Sequence, residues 1–287
     1  MTPLQKPSRR DVLLGASAAA VRLSAAPHRL KLGIMDVIFG FPSDPDAFAS
    51  ARRVGFDGIQ VTIGKPDSQG RLLLSDPALQ QRILDASTTH KVAIASTYLD
   101  ILHRDCLQSS DAAKIWIRQA IQITDKLNAS IVELVFFFKC GLTNSRDIDS
   151  VVAALRELAP EAHEANVILG IENTLSAEEN ARILDRVGSP AVKIWYDIGN
   201  STNMGHFDVP REIRFLGKDR IGQIHIKDKV YLGQGAVDVK GCLEAIFDIG
   251  YSGFCVLETA APTGGDRVAN AAKNLQLLRA IEKQIPL

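Results

Sequence analysis

Four residues with metal-binding side chains stand at similar places in successive segments of the C-terminal half of the sequence. Glu172, Asp197, His225 and Glu258 each lie at or beside the end of a short apolar run. Three carboxylates and one imidazole form an oxygen-rich set that suits Mn²⁺, Mg²⁺ or Co²⁺, with Zn²⁺ as a further candidate. Clustered carboxylates repel one another, and a divalent cation removes that repulsion. The sequence therefore predicts one divalent metal ion held by these residues.

Each of these residues has a more ordinary explanation when it is taken alone. A carboxylate after a strand usually caps a helix or faces solvent. A single histidine is more often hydrogen-bonded within the structure than bound to a metal. The metal interpretation depends on such residues falling at successive strand ends, because neighbouring parallel strands lie only about 4.8 Å apart.

Short apolar runs alternate with amphipathic stretches from Leu30 onward, which indicates strands that alternate with helices. The predicted strands are Leu30–Asp36, Gly58–Ile63, Val92–Thr97, Ser130–Phe136, Val167–Glu172, Val192–Asp197, Ile221–Ile226 and Gly253–Glu258. The predicted helices are Asp46–Val54, Asp76–His90, Asp111–Leu127, Asp147–Ala165, Ala177–Val187, Pro210–Leu216, Val239–Ile249 and Asp266–Lys283.

Eight strand–helix repeats favour a closed barrel over an open doubly wound sheet. No linker rich in glycine, proline or serine divides the chain after residue 30. We therefore predict an α/β fold, a single-domain (β/α)8 TIM barrel over residues 29–287. In such barrels the catalytic residues stand at the carboxyl ends of the strands, where the four metal-binding residues fall.

The N-terminus has the features of an export signal. Ser8-Arg9-Arg10-Asp11-Val12-Leu13-Leu14 resembles the twin-arginine motif, and an alanine-rich apolar stretch follows it. We predict that residues 1–28 direct export to the periplasm; the alternative is an uncleaved tail on a cytoplasmic protein. The apolar stretch is too short to span a bilayer, so stable membrane insertion is not expected.

Composition and cysteine spacing narrow the classes of partner. The formal net charge is zero, which argues against a nucleic-acid partner, because neutralising phosphates requires a basic surface. The four cysteines, Cys106, Cys140, Cys242 and Cys255, form no CxxC pair. Free, buried thiols are the expected state, although an exported chain could form a disulfide.

The segments around the strand ends resemble the xylose isomerase-like TIM-barrel superfamily, in particular its sugar phosphate isomerase/epimerase branch. The resemblance is carried by Gly170-Ile-Glu-Asn173, Trp195-Tyr-Asp-Ile-Gly-Asn200, Gln223-Ile-His-Ile-Lys-Asp228, Gly233-Gln-Gly235 and Val256-Leu-Glu258. It implies one divalent ion at the four matched positions. It also implies that Glu172 and Glu258 are catalytic, one removing a proton from a sugar and the other returning it.

The sequence departs from the ketose epimerases of this superfamily at two places. Asn200 stands where some of them carry a histidine, and Lys229-Val230-Tyr231 stands where they carry an arginine. Asn200 can still bind a substrate hydroxyl, and Lys227 can supply the positive charge. Dimers and tetramers are common among such enzymes, so a homodimer or homotetramer is compatible with the resemblance.

Further substrate contacts are predicted on other strands and loops. Gln60 and Glu133 lie on strands 2 and 4, and a carboxylate inside an apolar strand needs a partner, so Glu133 either faces the barrel mouth or pairs with a cation. His103 and His206 lie in loops, where solvated histidines are the more common explanation and a substrate contact is the alternative.

The predicted function is a divalent-metal-dependent sugar isomerase or epimerase that acts on a small carbohydrate. It removes a proton next to a carbonyl and passes through a metal-stabilised enediolate. The alternative is a metal-dependent lyase, dehydratase or hydrolase on keto-sugars, inososes or 3-keto-glycosides. An endonuclease IV-like nuclease and a non-catalytic sugar-binding barrel are less favoured, since the former needs more histidines and the latter needs no complete ligand set.

Overall fold

A closed parallel barrel of eight strands forms the centre of the molecule. The computed structural model describes residues 29–258 and 265–285. The strands pair in chain order, and the last pairs with the first. Their bounds are β1 Lys31–Met35, β2 Gly58–Thr62, β3 Ala93–Tyr98, β4 Ile131–Val135, β5 Ile168–Glu172, β6 Val192–Asp197, β7 Ile221–Ile226 and β8 Phe254–Leu257. The predicted (β/α)8 barrel is thereby confirmed.

One principal helix follows each strand. The helices are α1 Asp46–Val54, α2 Pro77–His90, α3 Asp111–Lys126, α4 Ser145–Glu164, α5 Ala177–Val187, α6 Val209–Arg220, α7 Val239–Asp248 and α8 Arg267–Glu282. Only α6 differs substantially from its prediction, which ended at Leu216. Helical structure continues to Arg220, but Gly217 has a non-helical backbone (φ 67°, ψ 170°) that kinks the helix. The predicted end at Leu216 therefore coincides with this kink.

Helix starts follow the local sequence signals in two of three cases. Asp76 caps α2 by accepting from the Ala78 amide, with Pro77 in the first turn. Ser176 and Glu179 form a reciprocal capping box at α5. Ser110 precedes α3, but its side chain makes no capping hydrogen bond.

The barrel interior explains the apolar character of the strands. All residues of β2 and β4 are buried, as expected for parallel strands covered on both faces. Trp195 on β6 is 1% exposed and occupies the space above Gly170 on β5, where an added Cβ would lie 2.8 Å from its ring. Glycine at position 170 therefore makes room for the largest side chain of the interior.

The prediction of four free thiols is wrong for one pair. Cys106, in the loop after β3, and Cys140, in the loop after β4, form a disulfide with their Cα atoms 5.0 Å apart. Cys242 and Cys255 are free and buried, as predicted. The sequence could not pair the first two because 34 positions separate them, and only the closed barrel brings their loops together.

The predicted export signal, residues 1–28, lies outside the described residues. Among the residues that the structure describes, no helix is long and apolar enough to cross a membrane.

Candidate metal centre and substrate cavity

The four predicted metal-binding side chains meet at the carboxyl ends of β5 to β8. Glu172, Asp197, His225 and Glu258 each offer one ligand atom, and these atoms lie within 4.8 Å of one another. Parallel pairing places Asp197 beside His225 across β6 and β7. Three of the side chains are buried, whereas that of Glu258 keeps 26% of its surface exposed. The cluster is thus open toward solvent on the β8 side.

Two atoms of the cluster lack the hydrogen bonds that buried polar atoms normally make. Asp197 Oδ2 has no hydrogen-bond partner. His225 Nδ1 lies 2.9 Å from Glu258 Oε2 but makes no hydrogen bond of acceptable geometry. These two atoms and the carboxylates of Glu172 and Glu258 together offer a set of ligand atoms that a divalent cation would bind. The residues present therefore fit a metal ion.

The two glutamates divide their oxygens between the cluster centre and its surroundings. Glu172 Oε2 and Glu258 Oε2 lie 3.9 and 2.9 Å from His225 Nδ1. Glu172 Oε1 accepts from Asn200 Nδ2 at 3.1 Å, and Glu258 Oε1 accepts from Lys227 Nζ at 3.0 Å. Each carboxylate can therefore place one oxygen on a metal ion and keep the other beside a polar group of the cavity.

A close backbone contact positions Lys227 against the cluster. Its Nζ lies 3.3 Å from Asp197 Oδ2, in addition to its bond with Glu258. An added Cβ on Gly199 would lie 2.6 Å from the Lys227 carbonyl oxygen, so the turn after β6 requires glycine there. The Gly199 and Asn200 amides also donate to Asp197 Oδ1 at 2.7 and 2.8 Å. This turn therefore fixes an aspartate, a lysine and an asparagine together.

A second layer of polar side chains holds the cluster from inside the barrel. Gln60 donates to Glu133 Oε2 at 2.5 Å, and its Oε1 lies 2.8 Å from His225 Nε2. The His225 ring also meets Trp195 edge to face, with centroids 4.9 Å apart. Because its Nε2 is held by Gln60, the histidine presents Nδ1 to the cluster.

Electrostatics reflect the crowding of carboxylates. Burial raises the pKa of Glu133 well above its usual value, with the charge of Glu172 acting in the same direction. Burial also opposes ionisation of Glu172, but its interactions with the neighbouring Glu133 and His225 outweigh burial and lower its pKa to about 2. Burial raises the pKa of Asp197 to about 8, against the opposing charge of Lys227. These opposed shifts show that the carboxylates cannot all be ionised without additional positive charge.

A cavity of about 260 Å³, here called the inner cavity, opens over the cluster. Glu133, Glu172, Asn200, Lys227 and Glu258 line it. Among the described residues, Lys227 is its only lysine or arginine. Acceptors, an amide and one cation around a small volume form a polar environment suited to a small molecule with several hydroxyls.

The other predicted substrate residues lie elsewhere. Gln60 is fully buried beneath the cluster and lines neither this cavity nor a second, larger cavity beside it at the barrel mouth. His206 is exposed, in a left-handed conformation after the turn Ser201–Gly205, and also lines neither. Tyr231 donates to Asn270 on α8, and Lys273 covers its ring, so this departure from the epimerase pattern serves packing.

Several cavity residues were not identified as sites from the sequence. Tyr98, Phe138 and Met204 line the inner cavity, but apolar and aromatic side chains give no signal that distinguishes a cavity wall from a core. His103 was expected to be solvated. Instead it is half-buried, its Nε2 lies 2.9 Å from the Tyr98 hydroxyl, and it lines the same cavity.

A buried carboxylate fixes the β1 side of the mouth. Asp36 accepts hydrogen bonds from the Ser43 amide and from both the amide and the hydroxyl of Thr62, at 2.6–2.8 Å. It is 1% exposed, and burial raises its pKa to about 6 despite these bonds. Asp36 therefore ties the loop after β1 to the end of β2.

The fold and the site together define a TIM-barrel protein with a candidate metal centre at the carboxyl ends of four successive strands. The chain belongs to the family of xylose isomerase-like TIM barrels, which it matches over residues 48–281. The resemblance found in the strand-end motifs is thereby confirmed.

Known proteins similar to this chain include several sugar epimerases. It is 27% identical over 257 residues to L-ribulose-5-phosphate 3-epimerase UlaE of Escherichia coli, covering 80% of this chain and 87% of that protein. The fold resembles D-allulose 3-epimerase from Methylomonas sp., with a TM-score of 0.71, 22% identity and coverage of 90% and 99%. It also resembles the 3-keto-D-glucoside 4-epimerase YcjR of E. coli, with a TM-score of 0.72, 16% identity and coverage of 88% and 100%.

Asp36 predicts a specific dependence of stability on pH. Because its pKa is raised in the fold from 3.8 to about 6, its stabilising contribution is complete below about pH 4 and is lost as the pH rises through 6. Relative to Asp36→Asn, which cannot ionise, the wild type should lose about 2 kcal/mol of its free energy of unfolding between pH 4.5 and 7.5. Urea unfolding of both proteins across this range measures the difference. If the free energies of unfolding of the two proteins changed with pH in parallel, the raised pKa of Asp36 would be contradicted.

Proposed function

We propose that the chain is a divalent-metal-dependent sugar epimerase or isomerase that uses Glu172 and Glu258 as a pair of bases. The observation that carries this proposal is the division of oxygens in the two glutamates, one toward the cluster centre and one toward the cavity. Both glutamates also line the inner cavity, whereas Asp197 and His225 do not, so the glutamates combine a place in the cluster with access to a bound molecule. The epimerase activities of the similar proteins support the same reaction class.

Glu172, Asp197, His225 and Glu258 would hold the metal ion. When bound, the ion would polarise the carbonyl of a sugar and stabilise the negative charge that develops as the neighbouring C–H proton leaves. Manganese, magnesium or cobalt suits the oxygen-rich set, and zinc remains compatible with it.

The protein's own groups carry the proton. Glu172 extends from β5 and Glu258 from beyond β8, so they reach the inner cavity from different sides. One carboxylate takes the proton from the carbon beside the carbonyl, leaving the electron pair delocalised onto the carbonyl oxygen. The other returns a proton to the opposite face of that carbon, which inverts it and gives an epimer. Return of the proton to the former carbonyl carbon, with a proton passing from the neighbouring hydroxyl to the former carbonyl oxygen, would give an isomer.

Asn200 and Lys227 position the two bases. Asn200 Nδ2 holds Glu172 Oε1, and Lys227 Nζ holds Glu258 Oε1. Neither side chain needs to exchange a proton in this role. Asparagine can therefore stand where some ketose epimerases carry histidine.

Metal binding should depend on the cluster. We expect the purified protein to bind about one Mn²⁺ per chain, and Asp197→Asn and His225→Ala to lose this binding, because each variant removes a ligand atom. Asp248→Asn and His163→Ala, at exposed positions on α7 and α4, are matched controls and should bind as the wild type does. Titration calorimetry and elemental analysis measure the stoichiometry. Unchanged binding in both cluster variants would refute the site.

Proton exchange should require both glutamates. Glu258→Gln and Glu172→Gln should fold normally and lower solvent exchange of the substrate C–H by about 10²–10⁴-fold, because glutamine cannot accept the proton. Proton NMR in D₂O measures exchange for free ketoses, sugar phosphates, inososes and 3-keto-glycosides. Glu164→Gln, at an exposed position on α4, is the control. Wild-type exchange by Glu258→Gln would exclude the two-base mechanism.

We also propose that the protein works in an oxidising compartment, the periplasm. The twin-arginine-like segment Ser8–Leu14 and the Cys106–Cys140 disulfide support this, because disulfides are rare where glutathione and thioredoxin keep thiols reduced. Arg9→Lys combined with Arg10→Lys should retain the protein in the cytoplasm with both cysteines reduced. Cell fractionation with thiol alkylation measures location and redox state. Identical distribution and alkylation of wild type and variant would contradict export.

A further inference from the structure

A second, larger cavity adjoins the inner cavity at the barrel mouth. This outer cavity has a volume of about 1040 Å³, against about 260 Å³ for the inner one. Both are lined by Met35, Tyr98, His103, Lys227 and Glu258. Pockets for small molecules span roughly 300–1,000 Å³, so the inner cavity is small and the outer one is at the upper limit. A molecule bound at Glu258 can therefore extend directly into a space much larger than the one that holds the reacting carbons.

The wall of the outer cavity on the β1 and β2 side is mainly apolar. Val37, Ile38, Pro42 and Leu73 line it, and Leu73 exposes 49% of its surface. Ser43 and Thr62 behind them are buried and bonded to other groups, Ser43 Oγ donating to the Thr62 carbonyl and Thr62 Oγ1 to Asp36. Their hydroxyl protons are therefore engaged within the protein. This side offers contact area and few polar partners.

Tyr98 and His103, at the end of β3 and in the loop after it, form the opposite wall of the outer cavity, and Phe137 and Phe138 behind His103 line the inner cavity. The His103 ring lies 6.3, 6.1 and 6.0 Å from those of Tyr98, Phe137 and Phe138, centroid to centroid. Phe138 is 82% exposed and has a φ of 52°, a conformation that bulky residues rarely adopt. Cys140, two residues on, is joined to Cys106, which ties this turn to the loop that carries His103. The rings of the inner cavity therefore continue into the wall that Tyr98 and His103 present to the outer cavity.

The charges of the outer cavity are mixed. Lys65 and Arg104 line it at exposed positions, and the half-buried carboxylate Asp100 lines it with them. Lys227, at the junction of the cavities, is already paired with Asp197 and Glu258. An incoming phosphate would therefore meet two exposed cations together with the carboxylates of Asp100 and Glu258.

We propose that the outer cavity is a subsite for an apolar group attached to the sugar, so that the substrate is a glycoside with an apolar aglycone. This inference rests on the proposed function, because binding of the sugar ring at Glu172 and Glu258 is what places the aglycone between Leu73 and the aromatic wall. A free or phosphorylated monosaccharide would leave these apolar walls in contact with water.

Glycoside chemistry then defines where the substrate is oxidised. In a glycoside the anomeric carbon is an acetal and carries no carbonyl. Proton removal by Glu172 or Glu258 needs a carbonyl beside the C–H, so the ring must be oxidised at another carbon. The substrate class is therefore a keto-glycoside, and a reaction that oxidises a ring hydroxyl of an intact glycoside must supply it.

Matched glycosides test the subsite by binding. We expect phenyl β-D-glucoside to bind at least tenfold more tightly than methyl β-D-glucoside, as measured by titration calorimetry with the Mn²⁺-loaded protein. Leu73→Asp should abolish this preference without weakening the methyl glucoside. Phe215→Asp, at a site on α6 that is also 49% exposed but lines neither cavity, should leave both affinities unchanged. The corresponding 3-keto-glucosides should show the same order in kcat/KM.

The outcomes separate the two proposals. Equal affinities for the two glucosides overturn the subsite, and turnover of free ketoses by the same preparation would leave the proposed function intact. Tighter binding of a ketose phosphate, lost in Lys65→Ala or Arg104→Ala, would identify a phosphate site and also overturn the subsite. Absence of binding and turnover with every sugar overturns both proposals.

Discussion

Mutual repulsion among buried carboxylates is the constraint on which the rest of the structure depends. Three carboxylates offer atoms within 4.8 Å of one another and of His225 at the barrel mouth, and Glu133 stands directly beneath them. Such a group is stable only with compensating positive charge or shared protons. Lys227 and a protonated Glu133 supply part of the compensation within the chain. Asp197 Oδ2 and His225 Nδ1, which make no hydrogen bond, mark the place where a divalent cation would supply the rest.

Much of the surrounding sequence follows from this constraint. Gly199 allows the backbone of β7 to approach closely enough for Lys227 to reach two carboxylates. Gln60 orders His225 and Glu133 together, although it never reaches the cavity. Trp195 packs over Gly170, which leaves room for its ring, and fills the interior beside the histidine. Residues that look like ordinary core or turn positions therefore determine the geometry of the charged cluster.

The strands, the helices and the four residues of the candidate metal centre could be predicted from the sequence because each has a local signal. Apolar runs mark the strands, capping residues such as Asp76 mark helix starts, and a polar residue at a strand end marks the mouth. The disulfide and the aromatic wall could not be predicted, because Cys106, Cys140 and Phe138 carry no local signal of what they contact. His103 was expected in solvent for the same reason: its neighbours Tyr98, Phe137 and Phe138 come from different loops and strands. Long-range contacts of this kind arise only once the barrel has closed.

The Cys106–Cys140 bond divides the mouth into a fixed half and an adjustable half. The loops after β3 and β4 are covalently joined, whereas the loop after β1 is held to the end of β2 by hydrogen bonds of Asp36 and Ser43. Sequence change in the loops after β1 and β2 can alter the shape of the outer cavity while the carboxylate and histidine cluster on β5 to β8 stays as it is. A chain built in this way can acquire a new substrate by varying residues 37–43 and 64–73. The reaction itself would be inherited unchanged.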